Sequence, residues 1–178
     1  MIHWIKEAPE PEIDYNKYKP FIGNDFLRKN YMWFAYGLMG ILFVLACVCG
    51  TMRAGNFLIR VGIFALVYPI HEFLHILVAY RKGDIYLTHS GLYFWLTPNV
   101  QMRKWVFWTF ITLPFLMLTV VPGIVSLFCV EEVRSYLVYI AWINAIIAGS
   151  DIINSILILL KPNGSAFYRG YWCLEDNG

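Results

Sequence analysis

Charged side chains are scarce in this chain: 15% of its 178 residues are Asp, Glu, Lys or Arg, against 59% hydrophobic. That ratio excludes an ordinary soluble domain, and the length leaves no room for several domains. The formal net charge is only +2 and the basic residues are dispersed, so the sequence lacks a nucleic-acid-binding stripe and no nucleic-acid partner is expected. The four cysteines, at 47, 49, 129 and 173, lack both Cys-x-x-Cys spacing and the density of a secreted scaffold, so structural disulfides are not expected. A basic start followed by an apolar core is also missing. The run Glu7-Ala8-Pro9-Glu10-Pro11-Glu12 argues against a secretory leader.

What the chain does have is apolar length. Four segments, near residues 31–50, 56–80, 105–130 and 136–160, each reach the roughly 20 residues that cross about 30 Å of hydrocarbon. The expected fold is an all-α polytopic membrane protein with about four transmembrane helices. Residues 1–30 are expected as a polar N-terminal tail, 31–160 as the membrane domain and 161–178 as a C-terminal tail. Lysines and arginines set the orientation. Arg28, Lys29, Arg81, Lys82, Arg103, Lys104 and Lys161 flank one set of span ends, against Arg53, Arg60 and Arg134 at the other. Both termini are therefore expected in the cytoplasm of a multi-pass protein of the cell membrane, with the lipid bilayer as its partner medium.

The longest connection joins the second and third segments. From Gly83 to Pro98 it is rich in β-formers and divided by Ser90-Gly91, which predicts either a short membrane-associated β-hairpin or a surface loop over the helix ends. A hairpin edge would offer an extended substrate segment a strand to pair with. His89 within it, and His3 in the tail, are read as incidental.

The second apolar segment contains His71-Glu72-Phe73-Leu74-His75. Three ionisable side chains within five positions are costly in hydrocarbon unless something neutralises or hydrates them. Histidines at i and i+4 share one helix face, so both imidazoles can reach a single Zn²⁺. Glu72, rotated by about 100° from His71, falls beside such a metal and is placed to take a proton from the attacking water. The alternative is that the three residues only hydrogen-bond one another and neighbouring helices.

A hydrolytic zinc usually has three protein ligands and one open position, so a third ligand is needed. Away from the segment ends, Asp151 is the only acidic residue in the first, third or fourth apolar segment. Depth agrees. His71 precedes Arg81, and Asp151 precedes Lys161, by 10 residues each. For straight helices both lie roughly 15 Å from the same membrane face. Asn144 and Asn154 fall near the carboxylate's side of the last segment. Asn144 is the preferred candidate for donating to an oxyanion or a substrate backbone, or else serves as an interhelical contact. Pro69 bends the second span or is merely tolerated there, and Pro114 and Pro122 are candidates for breaking the third.

With His71-Glu72-x-x-His75 in an apolar helix, Asp151 in a later one and Asn144 upstream of it, residues 56–160 resemble the site-2 protease class of intramembrane zinc metalloproteases. More closely, the compact size, Pro69-x-His71-Glu72-x-x-His75 and Ser150-Asp151 resemble a bacterial family of zincin membrane peptidases. The resemblance implies zinc held by His71, His75 and Asp151, water activated by Glu72, and hydrolysis of peptide bonds within or next to the bilayer. The substrate would be a membrane protein or membrane-proximal peptide. Asp151 is followed by Ile152, so the Asp-Gly signature of the better-known class is absent. The competing function is a non-proteolytic metal-binding membrane subunit with a regulatory, scaffold or transport role.

Overall fold

The structure, a computed structural model, describes residues 1–178 apart from 7, 8, 12, 54, 91, 92 and 176–178. It is mostly helical, with short strands. In chain order these are β1 (Ile2–Trp4), β2 (Lys19–Pro20), α1 (Asp25–Lys29), α2 (Tyr31–Val48), α3 (Phe57–Ala79), β3 (Asp84–Ser90), β4 (Tyr93–Asn99), β5 (Met102–Arg103), α4 (Lys104–Phe115), α5 (Val121–Ser126), α6 (Glu131–Ile147), α7 (Gly149–Leu159), β6 (Ser165–Tyr168) and β7 (Tyr171–Leu174). A π turn, Leu116–Val120, joins α4 to α5.

Among the described residues, three helical stretches are long and apolar enough to cross a membrane: Tyr31–Val48, Phe57–Ala79 and Lys104–Ser126. The fourth expected span is not straight. α6 and α7 meet at a 66° bend, so they make a fourth crossing only if the pair is taken as one broken span. The bend starts at Ala148, which leaves helical geometry at φ −76° and ψ 13°. Gly149 opens α7 so close to α2 that an added Cβ would stand 2.5 Å from Met39 Cγ. Pro69 sits inside α3 without interrupting it, whereas Pro114 precedes the π turn and Pro122 follows it, as the second residue of α5. Large apolar side chains such as Trp33, Phe43, Phe57, Phe64, Phe73 and Leu77 are exposed on α2 and α3, which is compatible with a multi-pass membrane protein.

The residues group into two compact units, with one boundary between α1 and α2 and the others inside α3, α4 and α7. One comprises Asn30–Leu74 and Thr112–Asn154 and is helical. Its small core places Val67 of α3 with Tyr139 and Ile143 of α6. The Tyr31 hydroxyl lies 3.1 Å from the Ser150 carbonyl and 2.9 Å from Asn154 Oδ1, tying the start of α2 to α7.

The other unit comprises Met1–Lys29, His75–Ile111 and Ser155–Gly178 and holds all the strands. Of the two readings of the long connection, the hairpin is the one present, as β3 and β4, antiparallel from Asp84↔Asn99 to Ser90↔Tyr93. Its turn residue Gly91 and the side chain of His89 lie outside the described residues. The N-terminal segment, expected as a tail, adds β1 in parallel to β3, giving the order β1-β3-β4. A second sheet runs β2-β7-β6-β5 and so draws the C-terminal segment into the fold. Ala79, Ile85, Met102, Phe110, Ile111, Ile158 and Phe167 form the core between these strands and the helix ends. Lys104 is buried at the start of α4. Its ammonium donates to the carbonyls of Leu159 (3.1 Å) and Lys161 (2.5 Å), where α7 ends. A cation at a helix C-terminus satisfies carbonyls that the helix itself leaves unpaired.

Candidate metal centre

The site is built from one stripe on α3. Val67, His71, His75 and Ala79 recur at four-residue spacing and are all buried, while Phe73 and Leu77 on the far side are more than half exposed. The apolar members of the stripe face the cores, so the two imidazoles are carried inward with them. Glu72, one position round the helix, is half-buried.

Asp151 comes from the first turn of α7, where the helix dipole favours a carboxylate. The bend at Ala148 is what starts a new helix there. Asp151 Oδ2 stands 3.1 Å from His71 Nε2. One ligand atom from each of His71, His75 and Asp151 can be chosen so that all lie within 4.8 Å of one another. All three residues are buried: relative exposures are 3%, 6% and 9%.

The hydrogen bonds behind the two rings decide which nitrogens face this cluster. His75 Nδ1 lies 2.6 Å from the Phe110 carbonyl, a group that only accepts, so Nδ1 carries the proton and Nε2 keeps its lone pair. His71 Nδ1 lies 2.9 Å from Asn144 Oδ1. That oxygen is fixed because the Asn144 amide nitrogen donates to the Pro114 carbonyl (3.1 Å) and to Thr119 Oγ1 (2.9 Å). Thr119 passes its own hydroxyl proton to the Ala141 carbonyl at 3.2 Å. His71 Nδ1 is therefore also the protonated nitrogen. Its Nε2 then faces a carboxylate oxygen, a pairing that a cation held between them, or an N–H in its place, makes favourable.

The donor set fits zinc. Two neutral imidazole nitrogens and one carboxylate are a three-ligand hydrolytic set, and the hydrogen bonds from the opposite ring nitrogens are the outer support such ligands have. Bonds of about 2.0 Å at tetrahedral angles put ligand atoms roughly 3.3 Å apart. The His71–Asp151 separation already matches that figure.

A family model described as putative zincin peptidase matches residues 64–166, more than half of the chain. The chain belongs to that family. No curated protein and no solved structure matches it. For a zincin peptidase, the expected metal is zinc, and His71, His75 and Asp151 are the residues available to hold it. Asn144 has a different geometry from the oxyanion donor read from sequence. It is fully buried, and its amide is engaged with Pro114 and Thr119 while its oxygen holds His71. Sequence reasoning missed the Phe110 carbonyl and Thr119. A backbone carbonyl has no residue signature, although Pro114, four positions after Phe110, is a visible mark of a carbonyl without its helical donor.

Proposed function

We propose that this zincin peptidase is an intramembrane zinc metalloprotease related to the site-2 protease class, cutting peptide bonds within or next to the bilayer. The observation that carries the reading is the buried cluster of His71, His75 and Asp151 on helices apolar enough to lie in lipid, with both imidazoles turned by their Nδ1–H bonds to offer Nε2. When bound, zinc supplies Lewis acidity that polarises the scissile carbonyl and makes water acidic enough to ionise near neutral pH. Glu72 removes the proton from the attacking water and returns it to the departing amine. His71, His75 and Asp151 hold the ion, while Asn144 and the Phe110 carbonyl fix the two rings.

The substrate in this reading is a membrane-protein segment unwound into an extended strand. β4 is an edge strand of the three-stranded sheet, so it offers unpaired backbone groups to such a segment. A cavity of about 330 Å³, lined by Leu96, Val100, Phe107, Phe110 and Ile111 among others, lies beside β4 and would take an apolar side chain. Phe110 contributes to that cavity and also holds His75 through its carbonyl. The distribution of lysine and arginine supports a cytoplasmic location for both termini.

The test uses purified protein in proteoliposomes with a membrane-spanning peptide. Cleavage should require zinc and stop with a chelator. Glu72→Gln should keep wild-type zinc content and lose turnover by roughly a hundredfold or more. His71→Ala and Asp151→Ala should lose the metal. Full zinc retention by Asp151→Ala would reject its role as a ligand, and chelator-resistant cleavage would reject the mechanism.

A further inference from the structure

The third apolar stretch spends a buried proline at position 114, inside α4 and less than 2% exposed. A proline in a helix interior has no N–H, so the carbonyl four residues earlier loses its helical donor. Here that carbonyl belongs to Phe110, and it is the acceptor 2.6 Å from His75 Nδ1. The carbonyl of Pro114 itself accepts from Asn144 Nδ2 at 3.1 Å, and Asn144 Oδ1 accepts from His71 Nδ1 at 2.9 Å. Immediately afterwards the helix enters the π turn Leu116–Val120, whose Thr119 takes the other Asn144 bond. π turns recur at functional sites because they redirect backbone groups.

We propose that Pro114 is the positioning residue for both imidazoles of the metal centre. Its missing N–H frees the Phe110 carbonyl for His75, and its own carbonyl anchors the amide that holds His71. The inference rests on the metal-centre reading above, but its first readout does not need the metal. Tolerance of a stray proline in a lipid-facing helix does not account for these contacts, since both backbone oxygens affected by Pro114 are engaged by groups serving the site. Pro122 provides the comparison. It lies in the same continuous helical stretch but beyond the π turn, so the carbonyl it frees belongs to Leu116–Val120 and not to Phe110.

Pro114→Ala restores an N–H aimed at the Phe110 carbonyl, in competition with His75, and alanine favours the helix, so the variant is expected to fold. In metal-free protein carrying ¹⁵N-histidine, wild type should show the His75 ring with its proton on Nδ1. Pro114→Ala should move His75 towards the Nε2–H tautomer. Zinc affinity, measured by competition with a chelator, should fall about 10- to 100-fold, the usual effect of losing an outer hydrogen bond to a metal-binding histidine. Pro122→Ala should match wild type in both measurements. A Pro114→Ala protein with the wild-type His75 tautomer and zinc affinity would overturn the proposal alone. A wild-type protein that takes up no zinc would instead overturn the metal-centre reading, and the His75 tautomer would still decide whether Pro114 positions that ring.

Discussion

Asn144 shows how one buried side chain can serve a reaction without touching it. Its three hydrogen-bonding contacts, to His71, Pro114 and Thr119, use the amide on both sides. Replacing it by alanine should release His71 and lower zinc affinity about 10- to 100-fold, while turnover of the fully loaded enzyme changes much less. A direct oxyanion role gives the opposite pattern: unchanged zinc affinity and a fall in kcat of roughly a hundredfold or more. Measuring zinc affinity and kcat on Asn144→Ala separates the two. His71, His75 and Asp151 were legible in the sequence for a physical reason, since ionisable groups in hydrocarbon are expensive and few sites justify them. The Phe110 carbonyl was not, because any residue supplies one.

At the scale of elements, the apolar segments and the β3–β4 hairpin could be read from run length and β-forming composition, both of which are local properties. The 66° bend between α6 and α7 could not, because it sits where Gly149 approaches Met39, a residue of another helix far away in the sequence. The bend also changes the depth comparison, which took the last span as straight, although His71 and Asp151 still meet. Lys104, which the sequence offers as a marker of membrane topology, closes the end of α7 from a buried position. Lys104→Met should preserve most of the aliphatic packing but leave the terminal carbonyls without their ammonium donor. The expected loss is about 1.5–3 kcal/mol of unfolding free energy in detergent micelles, the usual range for a charge-assisted hydrogen bond. Zinc content should stay unchanged, because Lys104 touches none of the ligands or the residues that hold them.

For the whole molecule, the decisive quantity is where the positive flanks lie. With both termini cytoplasmic, a fluorescent protein fused after Gly178 should fold and glow in bacterial cells, whereas alkaline phosphatase fused there should stay inactive. The reverse pair of signals would overturn the orientation. The tails themselves are less independent than their polarity implied: the first supplies β1 and β2, the second supplies β6 and β7, and both sheets need them. Such pairings were hidden in the sequence because each strand is only two to four residues long and its partner is distant. In the four-stranded sheet, the inner positions belong to β7 and β6, so both outer strands depend on residues synthesised after them. At about 5–20 residues per second, β2 leaves the ribosome on the order of 8 to 30 s before its partner exists. A nascent chain halted before residue 165 would therefore carry β2 and β5 as orphans, exposed to whatever chaperone or protease reaches them first.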